Sequence, residues 1–270
     1  MTPKRNTFLR GDTALAWYDT GGEGIPVVFQ HGLCGDVRQT IEAFPKDPRF
    51  RLITLECRGH GASEAGPLTD LSIATFADDL ATLIAQLQLA PVILGGISMG
   101  AAISTRLAAH RPELVRALAL VRPAWLAKAA PPNMAPNAEV GALLASLPPG
   151  EAQDAFITTQ TYRRLAVNAP DNLASLLGFF SRAPAETTAA LLQSISTDGP
   201  GITEADLAAL TLPTLVIGTR QDVIHPWPLA QQLADAIPTA KLVEATPKSI
   251  DKPRYVADLH AALGAFFEDI

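Results

Sequence analysis

The chain alternates between short continuous apolar runs and longer stretches in which apolar residues recur every three or four positions. Residues 26–30, Pro-Val-Val-Phe-Gln, form one such run and stop at His31-Gly32. Runs at 51–55, 91–94, 114–121 and 213–218 have the same character. A strand covered by helices on both faces reads this way, because neither face meets water. Segments 7–10 and 14–19 add short opening strands, the second alternating and turning at Thr20-Gly21-Gly22. Between the runs the period changes. Ile73, Phe76, Leu80, Leu83, Ile84 and Leu87 share one helical face, with Ser72 ahead of them as an N-cap. Further helices are expected at 37–44, 101–110, 226–237 and 253–267, and a last strand at 241–243. Buried strands alternating with helices predict an α/β fold with a mostly parallel central sheet and helices on both faces.

That rhythm fails between 122 and 203. No strand pattern appears there, and Pro123, Pro131, Pro132 and Pro136 crowd its start. Helices are expected at 138–147, 151–168, 172–180 and 185–194, with Asp198-Gly199-Pro200-Gly201 marking the return. The expected organisation is a core of residues 1–121 and 204–270 with a helical cap, 122–203, inserted into it.

Composition narrows the function classes. Hydrophobic residues make up 48% of the 270, ample for a continuous core. The formal net charge is −6 and no Lys/Arg block stands out, which argues against nucleic acid or a polybasic membrane contact. No stretch approaches the roughly 18–20 apolar residues of a membrane helix. The basic residues near the N-terminus have no apolar run behind them, so no secretory leader is expected and the expected location is cytoplasmic. Cys34 and Cys57 are expected to be reduced, packed thiols. Neither a metal-ligand cluster nor a phosphate-cradling loop appears, so no cofactor is expected. A small-molecule substrate is the expected partner, and oligomeric state stays open.

The chemistry centres on Gly96-Ile97-Ser98-Met99-Gly100, a G-x-S-x-G match between an apolar strand and a helix. The two glycines make physical sense, since a Cβ two residues either side of a sharply turned serine would clash with the neighbouring strand or helix. The Ser98 hydroxyl would then stand at a helix N-terminus, where the dipole favours negative charge.

With these residues in view, nearly the whole chain resembles the α/β-hydrolase superfamily. His31-Gly32 matches the family's His-Gly at the end of an early strand, and Arg58-Gly59-His60-Gly61-Ala62-Ser63 resembles its R-G-x-G-x-S loop. The resemblance implies Ser98 as nucleophile and the Leu33 and Met99 backbone N–H groups as the oxyanion hole. It also implies an acid after the strand that follows the cap, where Asp222 stands ahead of Pro226.

The family's base is a histidine in the loop before the final helix. That loop here reads Ala245-Thr246-Pro247-Lys248-Ser249-Ile250-Asp251, without one. A serine hydroxyl needs a base within hydrogen-bond reach, so the base must come from elsewhere. His31 and His60 belong to structural turns, His110 to a helix end and His260 to the last helix. His225, three residues past Asp222, is the leading alternative, as base or as a pocket residue; Lys248 is the other. Arg122, Trp125 and Asn133 are expected to contact substrate, while Asp171-Asn172 and Phe179-Phe180 are polar and apolar cap sites that serve equally as contacts between cap and core. The expected activity is hydrolysis of a small polar carboxylic ester or lactone. A cofactor-free lyase-type reaction on the same fold, or a small-ligand-binding protein with a degenerate triad, are the alternatives.

Overall fold

The structure, a computed structural model, describes residues 3–270, so the first two residues of the N-terminal stretch lie outside the described residues. Eight strands form one sheet: β1 (Lys4–Arg10), β2 (Thr13–Asp19), β3 (Ile25–Gln30), β4 (Phe50–Leu55), β5 (Val92–Ile97), β6 (Val115–Val121), β7 (Thr214–Thr219) and β8 (Ala240–Ala245). Their spatial order is β1-β2-β4-β3-β5-β6-β7-β8. The β1–β2 and β2–β4 pairs are antiparallel and all the others parallel. The parallel strands therefore end at one edge, and the order reverses between β3 and β5, the place where α/β sheets open a crevice for ligands.

Six helices cover the sheet or lie beside it: α1 (Val37–Ala43), α2 (Ile73–Gln86), α3 (Met99–His110), α9 (Glu204–Ala208), α10 (Trp227–Ala236) and α11 (Lys252–Glu268). Adjacent β5 residues take opposite faces, as a pleated strand requires. Val92 and Leu94 join Phe76, Leu80, Ile103 and Leu233 on one side, while Ile93 and Ile97 join Ala43, Leu259, Leu263 and Phe267 on the other. The Ser72 side chain accepts from Thr75 N at 3.0 Å and starts α2 as expected.

Between β6 and β7 lie α4 (Ala135–Ser146), α5 (Pro149–Ile157), α6 (Gln160–Asn168), α7 (Pro170–Phe179) and α8 (Ala185–Thr197). This helical insertion has its own apolar centre, including Val140, Phe156, Leu165, Leu176, Phe180 and Leu192. The single helix expected over 151–168 is two. Ile157-Thr158-Thr159 is a β-branched run of weak helix propensity, and the Thr159 hydroxyl accepts from Tyr162 N at 3.1 Å to begin α6. The short α9, unforeseen by periodicity, is held by a capping box between Thr203 and Asp206. No described helix is long and apolar enough to cross a membrane.

Candidate active site

The C-terminal ends of β3, β5, β6, β7 and β8 bring together the residues singled out above. Ser98 follows β5 directly, with φ 56° and ψ −111°, a conformation that costs a non-glycine residue about 1–3 kcal/mol. Its N–H donates to Val121 O at 2.9 Å and its carbonyl accepts from Ala101 N and Ala102 N, so the turn is fastened to β6 and to the first turn of α3. The flanking glycines are sterically required. A Cβ on Gly96 would lie 2.7 Å from Gln30 O, and one on Gly100 only 2.4 Å from the same oxygen.

His225 completes the contact that the sequence left open. Its Nε2 lies 2.8 Å from Ser98 Oγ, and its Nδ1 lies 3.0 Å from both carboxylate oxygens of Asp222. A carboxylate only accepts, so Nδ1 carries the proton and Nε2 faces the Ser98 hydroxyl as an acceptor. Asp222 and His225 thus sit three residues apart in one turn after β7. Asp222 Oδ1 also accepts from Ile224 N at 3.2 Å and His225 N at 2.9 Å, which winds that turn around the carboxylate.

Arg122, at the end of β6, grips the other side of the same carboxylate. Its Nε and Nη2 reach Asp222 Oδ2 at 2.8 and 2.5 Å, and its guanidinium carbon lies 5.9 Å from the Tyr255 ring centre. Burial works to raise the Asp222 carboxyl, but the Arg122 charge and the hydrogen bonds from the His225 ring and backbone N–H outweigh it and hold the group well below the usual carboxylate range. His225 is shifted down from its ordinary value by burial; Asp222 pulls it up and Arg122 pushes it further down. The imidazole is therefore neutral, and available as a proton acceptor, at neutral pH.

Lys248 goes elsewhere. Its Nζ lies 3.1 Å from Asp171 Oδ1 on α7. The three residues expected to contact substrate also have protein partners. Arg122 is committed to Asp222, Trp125 Nε1 donates to Asp198 O at 2.9 Å, and Asn133 Nδ2 donates to Ala124 O and Ile224 O at 3.0 and 2.7 Å. Their polar groups hold the insertion and the β7 loop in place.

The loop after β3 lies against the serine, since a Cβ on Gly32 would touch Ser98 Cβ at 3.4 Å. His31 and His60 support this loop as a buried, tilted ring pair, centres 4.7 Å apart and planes inclined by 40°. His60 Nε2 accepts from Cys34 N at 2.9 Å and His31 Nε2 accepts from Cys57 N at 3.0 Å, leaving each Nδ1 to donate to a carbonyl. Burial lowers His31 to about 4 and His60 well below the ordinary value, so both stay neutral. Burial pushes the Cys34 thiol up to about 12, which removes it as a nucleophile at neutral pH. Among the described residues, the N–H groups of Leu33 and Met99 donate to no other group. A cleft of about 770 Å³ opens beside Leu33, walled by Cys34, Asp36, Glu56, Phe179 and Arg182. A second groove of about 810 Å³ runs along β8 and α11; Ser98 and His225 line neither opening.

A strained serine at a strand-to-helix turn, touched by a histidine that a carboxylate orients, on a sheet with this strand order, defines an α/β-hydrolase. Comparison with known proteins agrees. Residues 25–155 match the family model described as alpha/beta hydrolase fold. The chain is 30% identical over 232 residues, 84% of its length and 87% of the relative's, to a Mycobacterium tuberculosis protein named as a non-heme bromoperoxidase, BpoC. A thermophilic esterase from Thermogutta terrifontis superposes with a TM-score of 0.72 at 25% identity, covering 97% of this chain and 99% of the esterase. The enol-lactonase of Burkholderia xenovorans LB400 shares the fold, with a TM-score of 0.73 at 22% identity and 97% and 100% coverage. The chain belongs to the α/β-hydrolase family and is an enzyme of the hydrolase type.

Proposed function

We propose that this protein is a serine hydrolase of small, polar carboxylic esters or lactones, with Ser98 as nucleophile, His225 as general base and Asp222 as the residue that orients it. The 2.8 Å contact between His225 Nε2 and Ser98 Oγ carries this reading. As Ser98 Oγ bonds to the carbonyl carbon, its proton passes to His225 Nε2. The oxyanion is held by the unclaimed N–H groups of Leu33 and Met99, with the α3 dipole behind the second. The tetrahedral intermediate then breaks its bond to the leaving oxygen, which takes the proton from His225. A water attacks the acyl group next, giving its proton to the same nitrogen, and Ser98 recovers that proton as the acid departs.

The helical insertion serves as a cap, and the cleft beside Leu33 supplies the walls for substrate. Its charged and hydroxyl-bearing side chains, Tyr18, Asp36, Glu56 and Arg182, suit a small polar acyl or leaving group better than a long alkyl chain. The esterase and lactonase among its structural neighbours favour the same bond types. A panel of p-nitrophenyl esters and lactones tests the reading. Turnover is expected for short, polar members and is expected to vanish in Ser98→Ala; equal turnover by the Ser98→Ala protein would overturn the assignment.

A further inference from the structure

The turn that carries acid and base is held by a residue from the insertion. Asn172, third residue of α7 and 4% exposed, reaches across to it. Its Nδ2 donates to Asp222 Oδ1 at 3.0 Å, and its Oδ1 accepts from Val223 N at 2.7 Å and, more distantly, from Ile224 N at 3.4 Å. The neighbours fix which way the carboxamide points, because a carboxylate can only accept and a backbone N–H can only donate. One side chain therefore satisfies the acid and the backbone of the adjacent turn together.

This matters more here than it would for a base carried on its own loop. His225 and Asp222 share one short segment, so any rotation of that segment moves both, and the Nε2 to Oγ contact has no independent adjustment. The segment has three outside fastenings: Arg122 on Asp222 Oδ2, Asn133 on Ile224 O, and Asn172 on Asp222 Oδ1 and Val223 N. Only Asn172 touches both the carboxylate and the backbone. Next to it, Asp171 binds Lys248 at 3.1 Å and lies 3.9 Å from Arg122, so the start of α7 is itself seated on the core.

We infer that Asn172 is a positioning residue of the triad, through which the seating of the helical insertion sets the alignment of His225 on Ser98. The inference rests on the triad assignment proposed above. The charged and titratable groups that face His225 are Asp222 in its own turn, Arg122 from the end of β6 and Asp171 from α7, with Lys248 and Tyr255 one contact further out.

Two substitutions separate this role from plain packing. Asn172→Leu keeps the branched side-chain skeleton and removes all three hydrogen bonds; kcat should fall about ten- to hundredfold, the scale of a small misplacement of catalytic groups, with KM changed less than about threefold. Asn172→Asp keeps the acceptor for Val223 N–H but sets a second carboxylate against Asp222. The added negative charge should move the acid limb of the pH–rate profile, and the His225 titration followed by NMR without substrate, upward by about one pH unit. A loss confined to KM or to melting temperature, with both the limb and the NMR titration unmoved, would overturn the inference. Should Asn172→Leu fail to fold, the isosteric Asn172→Asp protein carries the test alone. The NMR titration reads the effect of Asn172 even if no ester is turned over, so failure of the triad assignment and failure of this inference give different results.

Discussion

Two neighbouring loops at the same edge of the sheet make opposite use of similar raw material. The loop after β7 packs Asp222 and His225 into one turn that reaches Ser98. The loop after β8, where the family resemblance places a histidine, carries Lys248 and spends it on Asp171 in the insertion. Under the proposed triad, an imidazole nitrogen must lie at a fixed place while the strand that supplies it is free to vary. An acid at the start of a turn can orient a base at its end, provided the turn is clamped from outside.

The largest expected effect separates the two loops directly. His225→Ala should lower kcat/KM by a factor on the order of 10⁶, as removal of the base of a triad does. Lys248→Ala breaks a partly exposed ion pair worth about 0–1 kcal/mol and should leave kcat/KM within about threefold. Parallel kinetics on the two proteins would check this, and a greater loss for Lys248→Ala would reverse the roles of the loops.

Arg122 provides a sharper cut within the β7 turn. Arg122→Met leaves the buried Asp222 carboxylate without its cation and should cost about 3–5 kcal/mol of stability, read by denaturant unfolding. The sign with pH follows from the depressed carboxyl. Its stabilisation is present above the unfolded value of about 3.9 and is lost as pH falls toward the folded value, so the difference between wild type and Arg122→Met should shrink in acid. With the guanidinium gone, His225 should also hold its proton to higher pH, moving the acid limb of activity upward. A smaller effect tests the elbow: Gly100→Ala, whose Cβ would sit 2.4 Å from Gln30 O, should cost about 1–3 kcal/mol and lower the melting temperature. An unchanged melting temperature would show that the turn has room to relax.

Much of the fold was legible because strand and helix periods differ, and because buried strands leave unbroken apolar runs such as Val92-Ile93-Leu94. The elbow was legible for a related reason, since close backbone approach leaves glycine as its mark. The division of α5 from α6 was not, because a Thr-Thr pair within amphipathic spacing looks continuous until one hydroxyl turns back to cap the next helix. Partnership across the fold was the least visible. Arg122, Trp125 and Asn133 are residue types that suit a ligand, and only the packed structure shows their groups already engaged. Asn172 lies 50 residues from Asp222, and nothing in its neighbourhood marks it as the acid's partner. Two signals for His225 were present: the vacancy after β8, and a spacing of three from an acid that lets one turn close on itself.

The most direct test of the central claim is the pH dependence of Ser98 modification by a fluorophosphonate, read by intact mass and peptide mapping. The rate should rise through a single ionisation with a midpoint below the ordinary imidazole value of about 6.5, and the reaction should be lost in His225→Ala. Labelling that survives His225→Ala, disappears in Lys248→Ala and turns on only in the alkaline range would contradict the account.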